Sequence, residues 1–255
     1  MYPIIYNYKM LTIGGYGIML GLAFYLGFLL AEREFKLRGK DPELTYTLLF
    51  WVIPSAIIGA KIFHIMENFE EFLADIPGMI FSGAGLSVYG GFILAFIVSI
   101  FIIRRAGENV LEIFDIAAPT MALGYGLGRI GCHVAGDGCY GIETASLLGM
   151  AYPNGIVPST AAVFPTSLFE ALFSLTVFFF LMQYRKAPHK TGHIFFLYLI
   201  LNGTARFFVE FIRVNPDFIS GFTHAQVIAV LFILTGIAGL VVLKKGLPFR
   251  GKTAD

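Results

Sequence analysis

The chain has 255 residues, 57% hydrophobic and 14% charged, with 27 phenylalanines and a net charge of +1. A soluble domain of this length needs more charged surface, so lipid must solvate much of the apolar excess. The balanced total gives no sign of a nucleic-acid partner, and none is expected; the placement of charge carries the information.

Spanning a hydrocarbon core of about 30 Å takes roughly 20 mainly apolar residues in a helix. Seven segments meet that requirement: 12–31, 44–66, 86–103, 113–134, 165–184, 193–212 and 225–243. The fourth is the least apolar and carries Pro119 and several glycines. The fold expected is therefore all-α: a polytopic integral membrane protein with seven transmembrane helices, in a single domain over residues 1–255. The first apolar run lacks a preceding basic region, so it is read as a span rather than a cleaved leader.

Orientation follows from lysine and arginine in the short connections. The first connection carries Arg33, Lys36, Arg38 and Lys40, and the third carries Arg104 and Arg105. The fifth carries Arg185, Lys186 and Lys190, and the tail carries Lys244, Lys245, Arg250 and Lys252. The opposite side has only Lys9 and Arg213 outside the spans, and its second connection is acidic. This asymmetry puts the N-terminus outside and the C-terminus in the cytoplasm, as an odd number of spans requires.

With that orientation, the polar residues of the spans gather toward the outer side. Lys61 and His64 fall near the outer end of the second span, Tyr89 of the third, Arg129 and His133 of the fourth, and Glu170 of the fifth. On the sixth, Asn202, Arg206, Glu210 and Arg213 recur at steps of four, four and three, which makes one helical stripe. The longest connection, 135–163, is expected to be an extracytoplasmic loop and has no lysine or arginine. An ionisable group at membrane depth usually faces the bundle interior and has a partner. Arg129 with Glu170 and Arg206 with Glu210 are natural pairs. Three arginines and Lys61 against two carboxylates leave surplus positive charge. Guanidinium grips phosphate with a planar fork, and phospholipid supplies phosphate at that depth.

The segment Gly126 to Gly141, GLGRIGCHVAGDGCYG, is dense in glycine around Arg129 and Asp137. Such glycines permit close helix approach or irregular backbone lining a cavity. Tyr89-Gly90-Gly91 places a phenol beside an open backbone, although an interfacial tyrosine also serves as a belt anchor. Cys132 and Cys139 are too few for a disulfide framework and lack zinc-site spacing, so no metal is expected; they either pair or pack as free thiols.

Together these motifs resemble the bacterial prolipoprotein diacylglyceryl transferases. The resemblance rests on GRIG followed by a glycine-acid pair and a closing glycine, Gly128 to Gly141. It is joined in order by IIGAKIF in the second span, VYGG in the third, FPTSLFEA opening the fifth and ARFFVEFIRVNPD ending the sixth. Such enzymes attach the diacylglyceryl group of phosphatidylglycerol to the lipobox cysteine of a preprolipoprotein, through a thioether, and release glycerol phosphate. The resemblance implies a multi-pass protein of the bacterial cytoplasmic (inner) membrane, monomeric among its lipids and needing no cofactor. By motif, Arg129 and Arg206 would hold the phosphate. Glu170, Glu210 and Arg213 would shape the site, beside Lys61, Gly90, Gly91, Asp137 and Asn202 as substrate contacts.

The chain also departs from the family. Tyr89 stands where the family has histidine, Cys132 where it has asparagine, Asn202 where it has tyrosine, and Lys61 where it has arginine. Phe164 replaces the histidine before Pro165, and one residue is added between Gly136 and Gly141. Tyr89 is the positional candidate for the base that activates the acceptor thiol, with Asp137 and His133 as alternatives. A divergent paralogue with another acceptor, or a lipid-binding or transport protein without chemistry, are the competing readings. Transport would favour inverted repeats, and none is evident.

Overall fold

The computed structural model describes residues 4–8, 11–81, 87–215, 218 and 221–246. Leu86, where the third apolar segment begins, lies outside the described residues. So do Lys9, Arg250 and Lys252 of the charge pattern, and Pro216 and Asp217 of the sixth-segment motif.

The chain is mostly helical. Its elements run β1 (Ile4–Tyr8), β2 (Leu11–Gly14), α1 (Gly15–Leu37), α2 (Glu43–Glu67), the short α3 (Phe69–Ala74) and α4 (Ile76–Phe81), then α5 (Val88–Arg105) and α6 (Val110–Ala135). After β3 (Met150–Tyr152) and β4 (Ser159–Val163) come α7 (Thr166–Tyr184), α8 (His193–Val209), a 3₁₀ turn Glu210–Ile212 and α9 (His224–Lys244). Six helices among the described residues, α1, α2 and α6 to α9, are long and apolar enough to cross a membrane. The third apolar segment forms α5, an 18-residue helix closing on Arg104 and Arg105. Large apolar side chains such as Phe50, Phe92 and Phe179 lie mostly exposed on these helices, as lipid-facing side chains do.

The expected first span begins too early. Residues 12–14 belong to β2, which pairs antiparallel with β1, and the helix starts at Gly15. It also runs past Ala31 to Leu37, because Glu32–Lys36 (2.7 Å) and Glu34–Arg38 (2.9 Å) pair one turn apart and carry the helix beyond its apolar stretch.

The chain divides into two compact units, one of Met1–Ala31 with Phe114–Asp255, the other Glu32–Ile113. In the second unit α2 packs along α5 through glycines. A Cβ on Gly59 or on Gly90 would collide with the other's backbone carbonyl, and one on Gly91 would meet the Ala56 carbonyl at 2.9 Å. Small residues thus let two backbones approach. Lys40, between α1 and α2, pairs with Glu108 (2.5 Å) before α6 and with Glu112 (3.0 Å) in its first turn. Burial works against its charge, but the two carboxylates more than offset this and raise its pKa.

In the first unit α8 packs against α9, where Gly203 faces the Ala229 carbonyl and Gly236 faces the Phe196 carbonyl. The start of α9 is closed by a capping box between Thr223 and Gln226. The start of α8 is closed by a different helix. Asp115 of α6, 2% exposed, accepts the Gly192 amide (2.5 Å) and the Phe195 amide (2.8 Å). A carboxylate there meets both the orphan amides and the positive end of the helix dipole.

Candidate active site

The first unit brings together five of the ionisable residues singled out from sequence. Glu170, in the first turns of α7, is the hub. Arg129 of α6 reaches its Oε2 with Nε at 3.0 Å, Arg206 of α8 reaches Oε1 with Nη1 at 2.6 Å, and Arg213 approaches Oε2 at 3.5 Å. Glu210 is the second carboxylate. It pairs with Arg206 at 2.9 Å and lies 3.8 Å from Arg213 Nε, within reach of charge but beyond a hydrogen bond. The four-residue step from Arg206 to Glu210 puts them one turn apart, so a single guanidinium bridges both carboxylates.

The two signs of charge are not equally accessible. Glu170 and Glu210 keep 2% and 0% of their side-chain surface, whereas Arg129 and Arg206 keep 16% and 20%. Three guanidinium groups over two sealed carboxylates leave a net positive cluster whose open edge is arginine.

Sequence reading missed the neutral groups that position this cluster. Tyr125, one turn before Arg129, accepts from Arg129 Nη2 (3.0 Å), donates to Glu170 Oε1 (2.9 Å) and lies under the Arg129 guanidinium. Thr223 Oγ1 donates to Glu210 Oε1 at 2.9 Å, and Asn215 Nδ2 does so at 2.5 Å. The four-residue spacing of Tyr125 and Arg129 was a usable signal; for Thr223, remote in sequence, there was none. Asn202 donates to the Tyr198 hydroxyl (2.8 Å) and lines one cleft with Glu170, Arg206, Tyr125 and the apolar Phe173 and Val177.

Asp137 lies in the turn after α6, where its Oδ1 accepts the Cys139 amide at 3.0 Å. The two cysteines are free thiols. Hydrogen bonding from Cys132 draws the Cys139 thiol below its ordinary pKa against the opposing effect of burial, with Arg129 and Arg213 adding to the lowering. His133 Nδ1 is 3.1 Å from the Tyr152 hydroxyl. Lys61 on α2, and Tyr89, Gly90 and Gly91 in the first turn of α5, belong to the other unit; there Gly90 and Gly91 are buried in the helix contact and Tyr89 is half-buried.

Apolar helices around a buried, net-positive ion cluster are the mark of a multi-pass membrane protein. The family model for prolipoprotein diacylglyceryl transferase matches residues 3–242. The phosphatidylglycerol–prolipoprotein diacylglyceryl transferase of Clostridium tetani is 30% identical over 239 residues, spanning 93% of this chain and 96% of that protein. The protein of the same name from Leptospira interrogans is 31% identical over 275 residues, spanning 87% and 86%. Phosphatidylglycerol–prolipoprotein diacylglyceryl transferase 2 of Clostridium perfringens is 32% identical over 229 residues, spanning 89% of each chain. This chain belongs to the prolipoprotein diacylglyceryl transferase family.

Proposed function

We propose that this protein transfers the diacylglyceryl group of phosphatidylglycerol to the lipobox cysteine of preprolipoproteins. The observation that carries the reading is the open arginine edge of Arg129 and Arg206 above sealed carboxylates, in a chain of this family. The acceptor sulfur attacks the glyceryl carbon while the carbon–oxygen bond to phosphate breaks. Glycerol phosphate leaves with the electron pair. Arginines fixed in advance stabilise that charge as it develops, without reorganising. Glu170 and Glu210 hold the guanidinium planes in place, with Arg213 completing the frame. Asn202, Arg206 and Phe173 line one narrow cleft, where polar and apolar side chains stand beside the arginine edge.

The thiol proton goes to a base. Tyr89 takes the family position, with Lys61 as a further substrate contact in its unit, whereas Gly90 and Gly91 are taken up by the α2–α5 contact; Asp137 and His133 are the alternatives near Arg129. The chain crosses the bacterial inner membrane seven times, α5 being the third span, as a single domain and a monomer. Its N-terminus and the 135–163 loop lie outside. Purified protein in phosphatidylglycerol micelles with a lipobox peptide should yield the peptide adduct and released glycerol phosphate by mass spectrometry. Arg129→Ala should abolish both. Phospholipid binding by the native protein without any adduct would sink the proposal and leave a lipid-binding role or another acceptor.

A further inference from the structure

The turn after α6 builds a second constellation, around two cysteines to which the transfer reaction gives no role. The Gly136 amide donates to the Cys132 carbonyl at 2.9 Å, closing the helix. Gly136 (φ 60°) and Gly138 (φ 90°) then take left-handed conformations on either side of Asp137, which other residues rarely adopt, and these reverse the chain. The turn is pinned from outside. The Ala135 and Gly136 carbonyls accept the Ile156 and Val157 amides at 3.0 and 2.9 Å, and the Cys139 carbonyl accepts Thr166 Oγ1 at 2.9 Å. As a result the sulfurs of Cys132 and Cys139 and a carboxylate oxygen of Asp137 lie within 4.8 Å of one another.

We propose that Cys132, Asp137 and Cys139 bind a borderline-soft divalent cation of the zinc type, with a fourth position left to water. Tetrahedral coordination with bonds of about 2.3 Å sets two sulfurs roughly 3.8 Å apart. That fits the spacing after at most a small inward movement. Calcium and magnesium demand oxygen shells, which two sulfurs cannot supply; thiolates select zinc-like ions. Binding exchanges two thiol protons for the cation and changes no oxidation state. Two thiolates and one carboxylate bring three negative charges, the cation leaves one, and the field of Arg129 and Arg213, which reaches Cys139, opposes it. Read as sequence, a spacing of seven residues names no metal centre; the double-glycine turn supplies the convergence that spacing does not. Asp137 is shared with the proposed reaction as one of its alternative bases, whereas Cys132 and Cys139 take no step in it, so cobalt binding and adduct formation are read separately.

Full-length protein in detergent, stripped with chelator under reductant and desalted, tests this. Cobalt(II) should saturate at one equivalent and produce a thiolate-to-cobalt charge-transfer band. Cys132→Asn and Cys139→Ser should each remove the band while helical circular dichroism and gel-filtration position stay native. X-ray absorption of the zinc-loaded native protein should find two sulfur neighbours at about 2.3 Å, without relying on any variant. The proposal fails if the reduced native protein gives no band, or if the band survives both substitutions. It fails equally if bound zinc has only oxygen and nitrogen neighbours, or if the cysteines close to a disulfide in preference to taking up metal.

Discussion

Arg206 sends Nη1 to Glu170 and Nη2 to Glu210, so its planar fork joins two carboxylates carried by different helical segments. Lysine offers one compact charge and cannot make both contacts while presenting a flat edge to phosphate. Arg206→Lys should therefore lower the rate of adduct formation by about 100-fold, the scale on which losing one preorganised donor acts. A rate within a few-fold of native would show that charge alone suffices there. Tyr152 gives a pH signature. It is 1% exposed, and burial pushes its phenol up to about 12. Below pH 10 it is protonated in folded and unfolded chains alike and contributes nothing to pH dependence. Above about 10 the unfolded chain sheds the proton and the folded one does not, so stability falls as pH rises from 10 toward 12. Melting temperatures across that window should decline less steeply for Tyr152→Phe than for the native protein.

Elements were legible wherever apolar windows decided them. The second, fourth, fifth and seventh segments each match a helix to within three residues at either end, because lipid-facing runs leave little choice of conformation. The sixth matches as a span over 193–212, its last three residues tightening from α-helix into a 3₁₀ turn. The strand pairs β1–β2 and β3–β4 were invisible: short strands pair by backbone, and backbone hydrogen bonds leave little trace in side-chain pattern. At the site, the charged members announced themselves by their cost in an apolar helix. Neutral Tyr125 and Thr223 did not, because hydroxyl-bearing residues are unremarkable anywhere. The Tyr-Gly-Gly motif read as an opening beside a phenol; in the fold its glycines lie in the α2–α5 contact, where Gly90 meets Gly59 and Phe63. Gly90→Leu should force these helices apart and cost about 1–3 kcal/mol or more of stability, seen as a lower melting temperature in detergent. An unchanged melting point would show the contact to be plastic.

At the scale of the whole molecule, thirteen lysines and arginines fall in alternate connections and the tail, and the acidic second connection and uncharged-to-acidic long loop fall in the others. The proposed topology makes a sharp statement about sidedness. In a background with both native cysteines replaced by serine, Ser146→Cys should react with an impermeant maleimide added outside intact cells, and Ala187→Cys only after permeabilisation. Both positions are exposed, so accessibility is decided by the membrane. Reaction of Ala187→Cys in intact cells would invert or break the topology.

The carboxylate of Asp115 on the first turn of α8 has a reach beyond its own neighbourhood. Arg206 lies roughly 20 Å along the same helix at 1.5 Å per residue. An α-helix is stiff over that distance, so α8 behaves as a strut clamped at one end by Asp115 and at the other by Glu170 and Glu210. The axial setting of the guanidinium is then fixed jointly from both ends. Asp115→Ala, which removes the acceptor of the Gly192 and Phe195 amides, should cost about 1–2 kcal/mol as a lost cap and slow adduct formation as well. Stability loss with an unaltered rate in folded protein would mean that the far clamp alone holds the register.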